Sequence, residues 1–89
     1  MKVFLGNAPW VQDGMIGVRA GSRWPHLQDS CDPYMPFPFY LAYAAAVLER
    51  ENIEVLLVDG IAERITSADF IRRCVDYHPD FVLLEVATA

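Results

Sequence analysis

Apolar positions in this chain fall into short continuous runs and longer segments of helical period. The most strongly patterned stretch is Pro36 to Leu48, PFPFYLAYAAAVL, which carries no charge and whose only polar groups are two tyrosine hydroxyls. A bilayer span needs about 20 apolar residues, so this run is too short to cross a membrane and reads as a core helix. Pro36 and Pro38 lie in or just before the first turn, where a helix tolerates proline. Glu49, Arg50 and Glu51 restore charge, and Asn52 suits a left-handed C-terminal cap. Apolar residues on almost every side of the helix predict neighbours on several faces.

Lys2 to Leu5 predicts a short buried strand that ends in the turn Gly6-Asn7-Ala8-Pro9. Glu54 to Gly60 predicts a second strand, its continuous apolar centre typical of a strand covered on both faces. Thr66-Ser67-Ala68-Asp69 has the spacing of a capping box, with Asp69 in place of the usual longer residue. The helix behind it repeats Phe70, Ile71, Cys74 and Val75 on one face, turns Arg72, Arg73 and Asp76 outward, and ends at His78-Pro79. Phe81 to Val86 predicts a third strand, interrupted in its pattern only by Glu85.

This order implies an α/β fold in which the long helix is a crossover between parallel strands. The expected architecture is a flavodoxin- or Rossmann-like sheet truncated to a βαβαβ half of three strands and two helices. A doubly wound domain ordinarily has roughly five or six strands. Residues 1–89 are therefore expected to be the amino-terminal part of a longer polypeptide. Residues 10–35, Trp10 to Met35, hold neither period and predict a long loop. It would leave the carboxyl end of the first strand, where open α/β sheets bind ligands.

Composition narrows the partners. Eighty-nine residues at 54% hydrophobic and 21% charged suit one globular domain and exclude a disordered tail. Stability is expected to be modest, because folding at this length buries only a little over ~60% of the chain's surface. With 12 acidic against 7 basic side chains the net charge is -5, which argues against a nucleic-acid partner and for a small or neutral ligand. Gly6, Asn7 and Pro9 cut the first apolar run short of a signal peptide, so a cytoplasmic location is expected, with no membrane span. Cys31 and Cys74 lack CxxC spacing and read as plain reduced thiols; no iron-sulfur cluster can be built from them.

Several segments together carry a resemblance. Gly6-Asn7-Ala8-Pro9-Trp10 follows the first strand, Pro38-Phe39-Tyr40-Leu41-Ala42-Tyr43 opens the long helix, Asp59 ends the second strand, and Pro79-Asp80-Phe81 leads a strand closing at Thr88. With these the chain resembles, over almost all its length, the amino-terminal cobalamin-binding domain of cobalamin-dependent radical S-adenosylmethionine enzymes. Ala8 stands where that family has a second proline. The segment Gly17-Val18-Arg19-Ala20-Gly21-Ser22-Arg23-Trp24-Pro25-His26 is similar to one in the branch containing anaerobic magnesium-protoporphyrin IX monomethyl ester oxidative cyclases.

The resemblance implies a module that holds cobalamin near the carboxyl ends of its strands, in a parent enzyme that cyclises a tetrapyrrole or otherwise methylates or cyclises a small substrate. A following barrel would carry S-adenosylmethionine and a 4Fe-4S cluster on a CxxxCxxC motif. That motif is absent from these residues, so they are not expected to cleave S-adenosylmethionine themselves, and no catalytic residue or metal ligand is assigned among them. The runner-up function is a non-catalytic α/β interaction module that assembles through an exposed third strand.

Asn7, Ala8, Trp10, Asp59, Ala87 and Thr88 follow or end strands at the expected ligand edge and are the candidate cofactor-binding residues. Turn geometry accounts equally for Asn7, and the start of a helix for Asp59. Arg19 and Arg23 suit a two-pronged clamp on a carboxylate or phosphate, or salt bridges to Asp13, Asp29 or Asp32 within the loop. Trp10 and Trp24 suit stacking on a corrin or porphyrin ring, or anchoring of the loop. His26 reads as a loop hydrogen-bonding residue before a cobalt ligand. Asp76-Tyr77-His78 supplies the DxH of the cobalt-binding DxHxxG motif, but Phe81 takes the glycine position, and His78 reads as a helix-end residue. Glu85 is expected to face the ligand edge or a neighbouring element. A phosphoacceptor receiver domain is excluded because Gly6-Asn7 and Val86-Ala87 do not supply its acids. GxGxxG is absent after the first strand, and no Ser-His-Asp arrangement is arguable from spacing.

Overall fold

The computed structural model describes residues 1–9, 11–12, 15–17, 27–28 and 38–85. In chain order its elements are β1 (Lys2–Asn7), β2 (Val11–Gln12), β3 (Met15–Gly17), β4 (Leu27–Gln28), α1 (Phe39–Arg50), β5 (Glu54–Asp59), α2 (Gly60–Glu63), α3 (Ser67–Tyr77) and β6 (Phe81–Leu84). β1 is the centre of a three-stranded parallel sheet of order β5-β1-β6. The predicted α/β architecture is present, with α1 linking β1 to β5 and α3 linking β5 to β6. The chain steps from β1 to one side and then crosses to the other.

Alternation along β1 divides the core into two layers. Val3 and Leu5 meet Leu41 of α1, with Ala44, Ala45, Leu48, Ile53, Val55 and Leu57 packed around them. Phe4 points the other way and meets Val58 and Phe70, joined by Leu56, Ile65, Cys74 and Tyr77. Both faces of β1 are thus covered, which is why its apolar run is continuous. The Phe4 and Phe70 rings meet edge to face, with centroids 5.5 Å apart, a geometry worth about 0.5–1.5 kcal/mol beyond burial.

Helix ends follow local rules. Asn52 has φ 61°; its N–H donates to Glu49 O at 2.9 Å and the Ile53 N–H to Leu48 O at 3.0 Å. These are the paired bonds of a Schellman cap. Thr66 Oγ1 accepts the Asp69 N–H at 3.1 Å, while the short Asp69 carboxylate takes Arg72 at 2.6 Å. His78 closes α3 at φ 54°, its own N–H donating to Val75 O.

Four expectations need correction. The 10–35 stretch is not without strands: β2, β3 and β4 form a second sheet, antiparallel, of order β2-β3-β4. Strands of two or three residues are too short to display a period of two. The first strand does not stop at Leu5; Gly6 and Asn7 continue it and pair with Val58 and Asp59. The long helix is not enclosed on several sides. Leu41 alone on α1 is fully buried, while Phe39, Tyr40, Tyr43 and Val47 are exposed, because a helix on a sheet of three strands has one neighbour layer. Ile71 and Val75 are likewise exposed, leaving Phe70 and Cys74 to face the core. Directly after β5 the chain forms a short helix, α2, with Asp59 at its start, the alternative that helix entry offered for that residue.

Candidate cofactor-binding edge

The carboxyl edge of the parallel sheet is built by three strand ends. Asn7 and Asp59 are register partners at the ends of β1 and β5. Beside them, Glu85 donates its N–H to Gly6 O at 3.1 Å and so extends the β1–β6 ladder by one residue.

Asp59 is the N-cap of α2, its Oδ1 accepting the Ala62 N–H at 3.2 Å. Gly60 follows where the chain after β1 passes over the start of α2. A Cβ on Gly60 would lie 2.9 Å from Asn7 O and 2.7 Å from Pro9 Cδ. Only glycine admits that approach of two backbones. Asn7 is 3% exposed, and its Nδ2 has no hydrogen-bond partner among the described residues. An amide donor buried in that way is costly unless something accepts from it. Ala8 is exposed and Pro9 half-buried at the same edge.

Between β1 and β6 the edge opens into a groove of about 350 Å³ lined by Leu5, Tyr40, Leu41, Ala44, Leu83, Leu84 and Glu85. α1 lies over β1 and β5, so the face of β6 on that side is left bare. The groove therefore has an apolar floor and wall, with the Tyr40 hydroxyl and the Glu85 carboxylate as polar groups. The first turn of α1 brings no acidic residue to it. The place matters: the first crossover carries the chain from β1 to β5 on one side and the second carries it from β5 to β6 on the other, and open α/β sheets bind ligands beside the first strand where the order reverses in this way.

Of the residues singled out from the sequence, the structure brings Asn7, Ala8 and Asp59 to one edge. Trp10, Arg19, Arg23, Trp24, His26, Ala87 and Thr88 lie outside the described residues, as does Cys31. His78 sits at the amino edge, beyond α3 and before β6, remote in the fold from the groove. Cys74 is a free thiol, half-buried in the layer beneath α3. Tyr40, Leu83 and Gly60 were not singled out as site residues. The Gly after a strand-ending Asp was the signal for Gly60; nothing local marks Tyr40 or Leu83.

At the amino edge, Lys2 Nζ lies 3.8 Å from Glu54 Oε2 and 5.1 Å from the centre of the Tyr77 ring. Desolvation of the Tyr77 hydroxyl, reinforced by the Glu54 carboxylate beside it, raises its pKa above the ordinary phenol value. This cluster ties β1 to β5 and to the end of α3. Among the described residues no group of His, Cys, Asp or Glu side chains gathers to hold a metal, and no helix is long and apolar enough to cross a membrane.

Fold and edge together define a small α/β unit with a parallel sheet and a ligand-sized groove at its switch point. No family model, curated protein or solved structure matches the chain.

Proposed function

We propose that this chain is part of the cobalamin-holding module of a radical S-adenosylmethionine enzyme, with the corrinoid received at the carboxyl edge of the sheet. The observation that carries the reading is the groove at the β1–β6 switch point, in the position where such sheets take ring cofactors. The residues present suit that group. Ala44, Leu83 and Leu84 offer an apolar surface to a macrocycle over the buried Leu5 and Leu41, and Asn7 offers a buried amide donor for the amide arms around a corrin. The described residues put no histidine at this edge, so they supply no imidazole to the cobalt. When bound, cobalamin supplies cobalt-centred one-carbon or radical chemistry; the chain's own residues bind it, orient it and exclude water. S-adenosylmethionine and the 4Fe-4S cluster belong in this reading to a separate barrel, and the substrate is a tetrapyrrole or another small molecule. The open faces of β6 support a sheet that continues beyond it.

The test is anaerobic purification of the full gene product followed by its absorbance spectrum. A retained corrinoid spectrum is expected, weakened by Leu83→Glu in the groove. A full-length protein that never retains corrinoid under those conditions sinks the proposal. The 89 residues alone are expected to bind cobalamin poorly, since they supply only part of the enclosing edge.

A second reading, a non-catalytic module assembling through β6, is favoured by the exposure of all four of that strand's side chains.

A further inference from the structure

Gly6 pairs with Leu84, and the Glu85 N–H continues that ladder to Gly6 O. One step further along the same register, Glu85 stands beside Asn7. Both lie on the face toward α1: Val3, Leu5 and hence Asn7 alternate onto it along β1, and Glu85 lines the groove there with Tyr40 and Ala44. Asn7 is 3% exposed, and its Nδ2 donates to nothing among the described residues, the neighbouring carboxylate included. Glu85 Oε2 is shielded from solvent. A buried donor and a buried acceptor thus sit side by side without bonding to each other.

We infer that this pair is a subsite for a primary carboxamide of the bound ligand, through which the groove selects a corrinoid by its amide arms. The inference rests on the cofactor reading above and adds which part of the cofactor is read and by which residues. A primary carboxamide carries an acceptor and a donor on one carbon. Its oxygen accepts the Asn7 Nδ2 N–H, and its own N–H donates to Glu85 Oε2, whose two lone pairs admit this bond beside any other. Neighbouring strands lie about 4.8 Å apart, so one planar group between the two side chains reaches both. Asn7 then gains the acceptor that its burial calls for.

The same pair rejects a carboxylate. An ionised acid arm has no N–H for Glu85 and brings a like charge against it where solvent screens poorly. Asp59, the register partner of Asn7 on the other side, adds a second carboxylate to the row, its Oδ1 accepting the Ala62 N–H. No lysine or arginine among the described residues lines the groove to offset them. Loss of one hydrogen bond to a charged group corresponds to about tenfold or more in affinity.

Equilibrium dialysis of the full gene product, freed of corrinoid and kept anaerobic, tests this with two rings. Dicyanocobinamide has amide arms and dicyanocobyrinic acid has carboxylate arms; cyanide fills both axial positions of the cobalt in each, so the ring margin is what differs. The amide ring is expected to bind about tenfold more tightly or better. Glu85→Gln should shrink that ratio. Asp76→Asn removes the same charge from α3, away from the groove, and should leave it unchanged, with circular dichroism showing both variants folded. Binding of neither ring sinks the cofactor reading and this inference with it. Equal affinity for the two rings overturns the inference alone, as does a ratio that Glu85→Gln leaves intact or that Asp76→Asn shrinks as much.

Discussion

The ring of Phe70 rests against the α-carbon of Gly6: a Cβ built on Gly6 would stand 2.6 Å from Phe70 Cζ and 2.8 Å from Phe4 Cε1. The central strand thus gives up a side chain so that α3 can dock on it through one aromatic ring. Gly6→Ala must push both rings aside, and overpacking of this kind costs about 1–3 kcal/mol. Phe70→Ala empties the same site at about 3–5 kcal/mol. Urea denaturation followed by circular dichroism measures both; a Gly6→Ala protein as stable as the parent contradicts the packing described.

Gly60 faces a harder obstacle, because its neighbours are the backbone of Asn7 and Pro9 and cannot rotate away. Gly60→Ala is expected to move the turn after β1 and disturb the amide resonances of Asn7 and Ala8. Asp59→Ala removes the cap on α2, at about 0.5–2 kcal/mol, without adding an atom at the close approach, and should disturb those resonances less. Amide spectra of the two variants check the contrast. Equal disturbance by both would mean that the cap, not the close approach, holds the turn.

Alkaline stability should report Tyr77. Its folded-state pKa lies above the unfolded value of about 10, so the folded protein keeps a proton that the unfolded chain has released. The contribution is whole below about pH 10 and is lost as pH rises through the folded value. Urea midpoints measured from neutral pH into that range are expected to fall, and Tyr77→Phe should flatten the fall relative to the parent. Parallel curves for the two proteins would remove Tyr77 as the cause.

His78 carries a left-handed backbone at the end of α3, with φ 54°. Glycine takes that conformation without the Cβ penalty, so His78→Gly is expected to raise stability by about 0.5–1 kcal/mol. The same variant should leave corrinoid retention by the full gene product unchanged. Loss of the corrinoid with the fold intact would show that this histidine serves the cofactor after all.

The helix ends were legible along the chain because they are short-range. Asn52, Thr66 and Asp69 act on backbone groups within a turn of themselves, so spacing alone identifies them. The apolar runs of β1 and β5 were legible for a related reason: burial on both faces leaves no polar position to interrupt them. β2, β3 and β4 escaped notice since each is shorter than the repeat that would reveal it.

What the chain determined unaided was therefore the succession of strands and helices and the residues that start and stop them, for these depend on neighbours a few positions away. Tertiary contact alone decided that α1 buries Leu41 and leaves Tyr40 and Val47 in solvent. It also decided that Gly6 belongs inside a strand under Phe70, and that Tyr40, Leu5 and Leu83 share one groove. Those pairs are dozens of residues apart, and only the strand order β5-β1-β6, with the middle place given to the first strand, brings them within reach.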